Sequence, residues 1–322
     1  MALTLKQQLS TPAGILQFIV KHNTIIIFLL LVIFSALISD VFFTSVNLSN
    51  LLKQVSGIGI ISIGMLLVIL TGGIDLSVGS MVALLAVTFA LMVNVFILPV
   101  AILITLVIGF GLGSISGYLV AYQKMAPFVA TLALMTIARG LGFIYSKGSP
   151  ITFKTPGGEF MSNFANNSTI GVPNIAIVFF IIVLLAIVML RYNVFGRLII
   201  AIGSNEQASR LSGLKVNKYK FLVYAISGAL AATAAIIVAS RTNLGSPNMG
   251  MAWELDAIAA VVIGGASLNG GKGTAINTLM GVLILGLIGN ILNLLNVPSY
   301  PQQVVKGAII IFAVLLQRFE TK

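Results

Sequence analysis

The chain offers few side chains that could do chemistry, and its acidic residues are the first to consider. Its seven carboxylates are Asp40, Asp75, Glu159, Glu206, Glu254, Asp256 and Glu320. There is no cysteine, and the single histidine, His22, follows a lysine. Disulfides, thiolate metal sites and a Ser-His-Asp triad are therefore excluded. We predict no enzyme activity, no metal site and no cofactor held by this chain.

The sequence GGKG at 270–273 is a segment that could be taken for a phosphate-binding loop. A Walker A motif needs a glycine five residues before its final Gly-Lys pair, and a serine or threonine after the lysine. Ala266 and Gly273 occupy those two positions. The segment is not a nucleotide site, so any ATP must be hydrolysed on another chain.

A second Gly-rich segment, LTGGIDLSVGS from Leu70, interrupts a long apolar run and contains Asp75 and Ser77. A broken helix near a membrane face must satisfy its free backbone groups with protein or water. Asp75 could cap a helix that begins near Leu76, where a carboxylate meets the positive end of the helix dipole. It could instead line or gate a pathway for a solute, together with Ser77.

The segment GSNEQASRLSG from Gly203 predicts a short helix. Ser204 and Gln207 have the spacing of a capping box, and Gly213 suits the helix end. Glu206 and Arg210 stand four residues apart, which favours an ion pair on one face. The opposite face carries Ala208 and Leu211. Such a helix could rest on lipid headgroups or dock a cytoplasmic partner.

A further group of polar residues lies within or beside apolar segments. Charges at such positions, here Arg139, Glu254 and Asp256, usually face the interior of a helix bundle or a partner. The two acids adjoin the single tryptophan and could instead anchor the chain at the membrane interface. Asn290 and Asn293 share a helix face and could bind neighbouring helices or a hydroxylated solute.

Composition identifies the elements that must position these residues. The 322 residues are 58% hydrophobic and only 8% charged, with a mean hydropathy of +1.11. A soluble chain carries about a quarter charged residues. The net charge of +11 is spread along an apolar chain and not clustered on a polar domain, which excludes a nucleic-acid binder. The chain is therefore predicted to be an all-α, polytopic membrane protein.

Charge-free runs of about 20 residues can each cross the bilayer, and their number predicts about ten spans. Asn94–Pro99 divides one long uncharged stretch into two spans, and a polar stretch at 147–173 forms an external loop. The predicted spans, beginning after residue 23, are 24–43, 55–70, two between 75 and 124, 127–146, 174–190, 221–240, 255–268, 274–295 and 302–317. The first 22 residues hold no compact apolar core with a cleavage site, so no cleaved signal peptide is expected.

Basic residues predict which side of the membrane each loop faces. An even number of spans puts both termini on one side, together with the loop 191–220. That side holds Lys6, Lys21, Lys124, Arg191, Arg197, Arg210, Lys215, Lys218, Lys220, Lys272, Arg318 and Lys322. The sequence therefore predicts cytoplasmic tails at 1–23 and 318–322, and one transmembrane domain at 24–317 with a cytoplasmic loop at 191–220.

Glycines suggest how the spans pack. Gly109, Gly113 and Gly117 form a GxxxGxxxG ridge, which favours close contact with a neighbouring helix. ILTGGIDLSVGS from Ile69 and VIGGASLNGGKG from Val262 each place a Gly pair and a polar turn after an apolar run. This weak internal sequence similarity would suit a transporter built from two similar halves.

Four longer segments carry a family resemblance. They are GMLLVILTGGIDLSVGSMVAL from Gly64, ATLALMTIARGLGFIYSKGSP from Ala130, GSNEQASRLSGLKVNKYKFLVYAISG from Gly203 and ELDAIAAVVIGGASLNGGKGT from Glu254. With them, nearly the whole chain resembles the permease subunits of bacterial ribose-type monosaccharide ABC importers. Members of that family also carry xylose, galactose, allose, inositol-like and autoinducer-type solutes.

The resemblance implies a multi-pass inner-membrane permease with defined partners. These would be ATP-binding-cassette ATPase subunits, a periplasmic or lipid-anchored sugar-binding protein, and a second permease copy or a paralogue within membrane lipid. It also implies that 203–213 is the segment received by the ATPase. The coupling residues would be Gly203, Ser204, Asn205, Glu206, Ala208, Arg210, Leu211 and Gly213. Pathway or gate candidates are Asp75, Ser77, Asn290, Asn293, Glu254 and Asp256.

Two other classes of protein remain open on the residues alone. A secondary transporter driven by protons or sodium needs buried acids or broken helices, and Asp75 could serve one. A secondary transporter would have no function for the capped cytoplasmic helix. A membrane scaffold or receptor would need no polar groups inside its spans.

Overall fold

The computed structural model describes residues 23–320, without the side chains of 310 and 312–320. The helices are α1 Asn23–Ile38, α2 Ser45–Leu70, α3 Val78–Val93, α4 Leu98–Ala121, α5 Pro127–Ser146, α6 Pro156–Asn166, α7 Asn174–Tyr192, α8 Val194–Ser204, α9 Glu206–Leu211, α10 Val216–Thr242, α11 Trp253–Ile263, α12 Ala275–Leu294 and α13 Ser299–Glu320. Four two-residue strands, β1 Ile151–Thr152, β2 Ser168–Thr169, β3 Val172–Pro173 and β4 Leu244–Gly245, form the antiparallel pairs β1–β4 and β2–β3.

Six of the described helices are long and apolar enough to cross a membrane, namely α2, α4, α5, α7, α10 and α12. Shorter apolar helices at α1, α3 and α8 accompany them. The prediction of a helical, polytopic membrane protein is therefore confirmed. The break at Asn94–Pro99 is confirmed too, since α3 ends at Val93 and α4 begins at Leu98 with Pro99 in its first turn, where proline is favoured.

Several predicted boundaries were wrong. The helix at the predicted span 55–70 starts ten residues before that span, at Ser45. Lys53 does not end the helix, because it lies within α2 and its Nζ donates to the Asn166 carbonyl at 2.8 Å. The span predicted at 255–268 is the shorter α11, which ends at Ile263. The loop 191–220 is largely helical, because α8 and α9 occupy most of it. Of the predicted tails 1–23 and 318–322, residues 1–22 and 321–322 lie outside the described residues.

Helix α10 is central, and small residues let its neighbours approach closely. Its core face packs against α2, α3 and α4 through alanines, glycines and serines. A Cβ added to Gly113 would lie 3.0 Å from the Gly228 Cα, and one on Gly117 would lie 3.0 Å from the Phe221 Cα. The predicted role of the glycine ridge in helix packing is therefore confirmed.

Two short helices begin in the interior of the bundle. Asp75, just before α3, bonds Ser227 near the middle of the 27-residue α10. Trp253, the first residue of α11, packs against Gly57 near the middle of the 26-residue α2. The helices run in opposite directions. α3 ends beside the β1–β4 pair, where the Asn94 Nδ2 donates to the Thr152 carbonyl at 2.9 Å, whereas α11 runs toward the end that carries α9.

Candidate functional site

The short helix α9 has the predicted position and a different cap. Asn205 is its N-cap, because the Asn205 Oδ1 accepts from the Ala208 amide at 2.9 Å. The prediction of Ser204 as the cap was wrong by one residue, since Ser204 is the last residue of α8 and its hydroxyl donates to the Ile200 carbonyl at 2.9 Å. Gly213 follows the helix at a φ of +83°, which confirms it as the terminator.

Glu206 is the centre of a charged network on this surface. Its carboxylate pairs with Arg210 at 2.7 Å, as predicted, and also with Lys220. Arg210 and Lys124 both donate to the Asn217 Oδ1, at 3.3 and 2.8 Å. Burial alone would raise the pKa of Glu206 and is the largest single influence, but the hydrogen bonds and charges of Lys220 and Arg210 together hold that pKa below its usual range.

The depressed pKa sets the pH range over which this network contributes. A carboxylate whose folded pKa is lowered stabilises the fold above its ordinary pKa, and the contribution is lost as pH falls through the lower, folded value. The network is therefore intact at neutral pH.

The exposed residues next to the network include Ala208 and Leu211, the latter with 83% of its surface accessible. Ion pairs therefore attach one face of α9 to the bundle, and a small apolar face is left exposed.

The connection between α8 and α9 abuts both Gly-rich segments. The Gly271 amide donates to the Leu70 carbonyl at 3.1 Å. Gly203 lies against this bond, so that an added Cβ would overlap the Leu70 oxygen and lie 2.6 Å from the Gly271 nitrogen. Gly270 is similarly close to the amide of Gly72. The two segments that echo each other in sequence therefore meet beside α9.

Asp75 is fully buried where α2 gives way to α3. Its Oδ1 accepts from the Ser77 amide at 3.0 Å and from the Ser77 hydroxyl, and its Oδ2 accepts from the Ser227 hydroxyl at 3.3 Å. The helix begins at Val78 and not near Leu76, so Asp75 fixes the turn before the helix instead of capping it from the adjacent position. The carboxylate thus joins the broken segment to the middle of α10.

The asparagines of α12 and the acid Asp256 contact other helices. Asn290 exchanges two hydrogen bonds with Asn47 of α2, at 2.8 and 3.2 Å. The Asn293 Oδ1 accepts from the Gln302 Nε2 at 2.8 Å. Asp256 forms an ion pair with Lys306 of α13 at 2.9 Å. These three candidates therefore act between helices in this conformation. For Asn290 and Asn293 this matches the helix-bonding alternative, and for Asp256 it matches a charge that faces a partner.

Glu254 lies instead in an open groove of about 580 Å³ between α3, α5 and α11. Arg139 lines the same groove, as do Ser80, Thr136 and Asn248. Sequence reasoning missed the last three as site residues. Asn248 lies in the SPNMG segment before α11, whose lack of regular periodicity is the only signal that could have indicated it.

Comparison with known proteins identifies the kind of molecule. Residues 47–314 match the family described as the branched-chain amino acid transport system / permease component. The chain belongs to this permease family. It is thus a multi-pass inner-membrane transport subunit and not an enzyme, and the resemblance to ribose-type importer permeases is confirmed.

Individual relatives of this permease share most of its length. The ribose import permease protein RbsC of Escherichia coli K12 is 43% identical over 300 residues, covering 92% of this chain and 94% of the relative. RbsC of Bacillus subtilis 168 is 44% identical over 290 residues, or 90% of each chain. The xylose transport system permease protein XylH of Haemophilus influenzae is 33% identical, covering 92% of this chain and 96% of the relative. No solved structure matches significantly.

Proposed function

We propose that this permease forms the membrane pathway of an ATP-driven importer for a monosaccharide, ribose or a closely related sugar. The observation that carries the proposal is the identity of 42–44% to ribose import permeases from three genera, against 33–35% to xylose permeases. ATP would be hydrolysed on partner ATPase subunits, and a periplasmic or lipid-anchored binding protein would deliver the sugar. The pathway would lie between two copies of this chain, or between this chain and a paralogue.

The proposed topology has about ten crossings with both termini in the cytoplasm. Basic residues support this orientation, because the α9 end of the bundle carries Arg197, Lys215, Lys218 and Lys272 besides the α9 network itself. The shorter helices α1, α3 and α11, together with the 22-residue α13, would complete the count. On this assignment α9 faces the ATPases, and the β1–β4 pair faces the binding protein.

The α9 surface supports the proposed contact with the ATPase. Residues 203–213 would dock there through the open face of Ala208 and Leu211, while Glu206, Arg210 and Lys220 keep the helix rigid against α10. When the ATPases close on ATP, displacement of α9 would press Gly203 against Leu70 and Gly271. That contact would pass the movement to both Gly-rich segments and alternate the access of the pathway.

The proposal is tested by reconstituting the permease with its ATPase and binding protein in proteoliposomes. Uptake of labelled D-ribose, D-xylose and D-galactose is measured with and without ATP. We expect ATP-dependent uptake of ribose at the lowest binding-protein concentration. Uptake that proceeds without ATP, driven by a proton or sodium gradient, would instead establish a secondary transporter.

The charged network of α9 gives a specific prediction. The double substitution Glu206→Ala and Arg210→Ala should lower the ratio of sugar uptake to ATP hydrolysed about fivefold, a typical coupling between sites. The reason is that α9 would remain but lose its attachment to Lys220 and Asn217. Lys218→Ala, at an exposed lysine in the first turn of α10, is the matched control. Unchanged sugar-stimulated ATPase activity and uptake in the double variant would remove the coupling role.

Asp75 gives a second prediction. Asp75→Ala should lower uptake about tenfold, because each buried donor left without an acceptor costs about 1–3 kcal/mol and the broken segment loses its attachment to α10. Membrane insertion should be nearly unchanged, since the remaining contacts of α10 are intact. Asp40→Ala, at an exposed carboxylate, serves as control. If the Asp75→Ala protein imports normally, only a local structural role for the carboxylate remains.

A further inference from the structure

The groove that holds Arg139 and Glu254 lies deep within the bundle. Arg139 is in the second half of the 20-residue α5, and Glu254 is the second residue of α11, which begins level with the middle of α2. Charges at such depth are costly unless they face a partner or a water-filled cavity. The open groove between α3, α5 and α11 supplies such a cavity.

Arg139 is held in place and keeps free donors. Its Nη1 donates to the Pro247 and Met249 carbonyls at 2.8 and 2.9 Å, which fixes the guanidinium against the extended segment before α11. A guanidinium carries five N–H donors. Within residues 23–320, its Nε and Nη2 donate no hydrogen bond, and the guanidinium forms no ion pair with Glu254. The remaining donors can therefore serve a ligand in the groove.

Glu254 supplies the complementary acceptor. The Glu254 side chain lines the groove. Its Oε2 is packed against Gly79 at the start of α3 and, within the described part of the chain, has no hydrogen-bond partner. Such orphaned polar atoms are rare in folded proteins, and a rotation of the Glu254 side chain into the groove would let this oxygen accept from a ligand. The Asn248 side chain, which both donates and accepts, lies on the same groove with the hydroxyls of Ser80 and Thr136.

The charge balance of the groove selects the class of ligand. One cation and one anion face the same space, so an anionic ligand would meet Glu254 and a cationic ligand would meet Arg139. A neutral molecule with several hydroxyl groups satisfies both, because each hydroxyl can accept from the guanidinium and donate to the carboxylate. Sites built to bond hydroxyls also reject analogues that lack them.

We propose that Arg139, Asn248 and Glu254, with Ser80, form a contact site at which a neutral polyhydroxylated solute binds on its way through the permease. This inference rests on the proposed import function and adds the place of binding and the residues that make it. Glu254 acts as the hydroxyl acceptor and Arg139 as the donor, while Asn248 serves as both.

The absence of cysteine makes a direct test possible. Thr136→Cys introduces a single thiol at the groove, and its reaction with a small polar methanethiosulfonate reagent is followed in the complete complex with ATPase and binding protein. We expect D-ribose to slow labelling about tenfold, and Glu254→Gln to abolish that protection, in line with loss of a hydrogen bond to a charged group. Inorganic phosphate and choline should not protect.

Two matched controls accompany the test. Ser149→Cys, in the exposed loop before β1, reports any shielding by the docked binding protein and should label at the same rate with and without ribose. Glu159→Gln, at an exposed carboxylate of α6, should leave the protection of Thr136→Cys intact. Both variants avoid the groove.

The contrary outcomes are distinct from failure of the proposed function. Protection by phosphate or choline but not by ribose would overturn the ligand class. A Thr136→Cys thiol that never reacts would show that a second subunit fills the groove. If the unmodified permease imports ribose while Thr136→Cys is unprotected, the import function stands and this site is wrong. If no monosaccharide is imported and ribose still protects, the binding site stands and the proposed import function is wrong.

Discussion

Replacing Gly203 with valine is expected to abolish sugar uptake by this permease while leaving its membrane helices folded. The added side chain would overlap the Leu70 carbonyl oxygen and crowd the Gly271 amide. Both obstacles are backbone atoms, which cannot turn aside as a side chain would. The contact between the end of α8 and the two Gly-rich segments must therefore open. We expect uptake to fall about 100-fold, near the upper end of the coupling between distant sites.

The matched control is Gly111→Val on α4, whose added Cβ has no heavy atom within 4 Å. ATP hydrolysis and uptake are measured together for both variants in proteoliposomes. The Gly203 variant should hydrolyse ATP without importing sugar, and the Gly111 variant should do both at normal rates. Normal uptake by the Gly203→Val protein would show that this junction does not transmit movement.

Replacing Gly113 with valine should prevent stable folding. The added Cβ would collide with the Tyr224 carbonyl and lie 3.0 Å from the Gly228 Cα and nitrogen, so α4 and α10 could not keep their spacing. Overpacking costs about 1–3 kcal/mol where neighbours can shift, and two apposed backbones have little freedom to shift. Since whole proteins are stable by only about 5–15 kcal/mol, we expect most of the protein to be lost from the membrane.

A control lies two residues away on the same helix. Gly111 has no heavy atom within 4 Å of an added Cβ, so Gly111→Val tests the same substitution in the same helix without the collision. The yield of monodisperse protein in detergent and its midpoint of thermal unfolding are the measurements. Equal yields and midpoints for the two variants would mean that the close approach of α4 and α10 is not required.

The sequence was sufficient where its signal was local. Missing charge identified a helical, polytopic membrane protein, and the i,i+4 spacing placed Glu206 beside Arg210. The GxxxGxxxG ridge correctly predicted close helix packing, because small residues at that spacing form one face whatever helix they meet. Even the shift of the α9 cap from Ser204 to Asn205 is small, since either side chain can accept from a first-turn amide.

The sequence was insufficient where a role depended on contacts between distant segments. Asp75 and Ser227 are 152 residues apart, and nothing near either residue indicates that they bond. Asn248 has no charge and no motif, and only folding brings it beside Arg139. The apolar composition of α3 and α11 likewise resembles that of full spans, so their starts deep in the bundle could not be read from hydropathy.

The opposed starts of α3 and α11 have an electrical consequence. A helix carries a partial positive charge at its N-terminus, and here two such ends approach each other, since a Cβ on Gly250 would lie 3.2 Å from the Gly79 carbonyl carbon. Their potential adds to that of Arg139 and opposes Glu254. Where this positive potential exceeds that of Glu254, a pathway through this point would present a barrier to protons and sodium ions. A neutral solute would then cross where cations are repelled, which would preserve the ion gradient of the membrane during import.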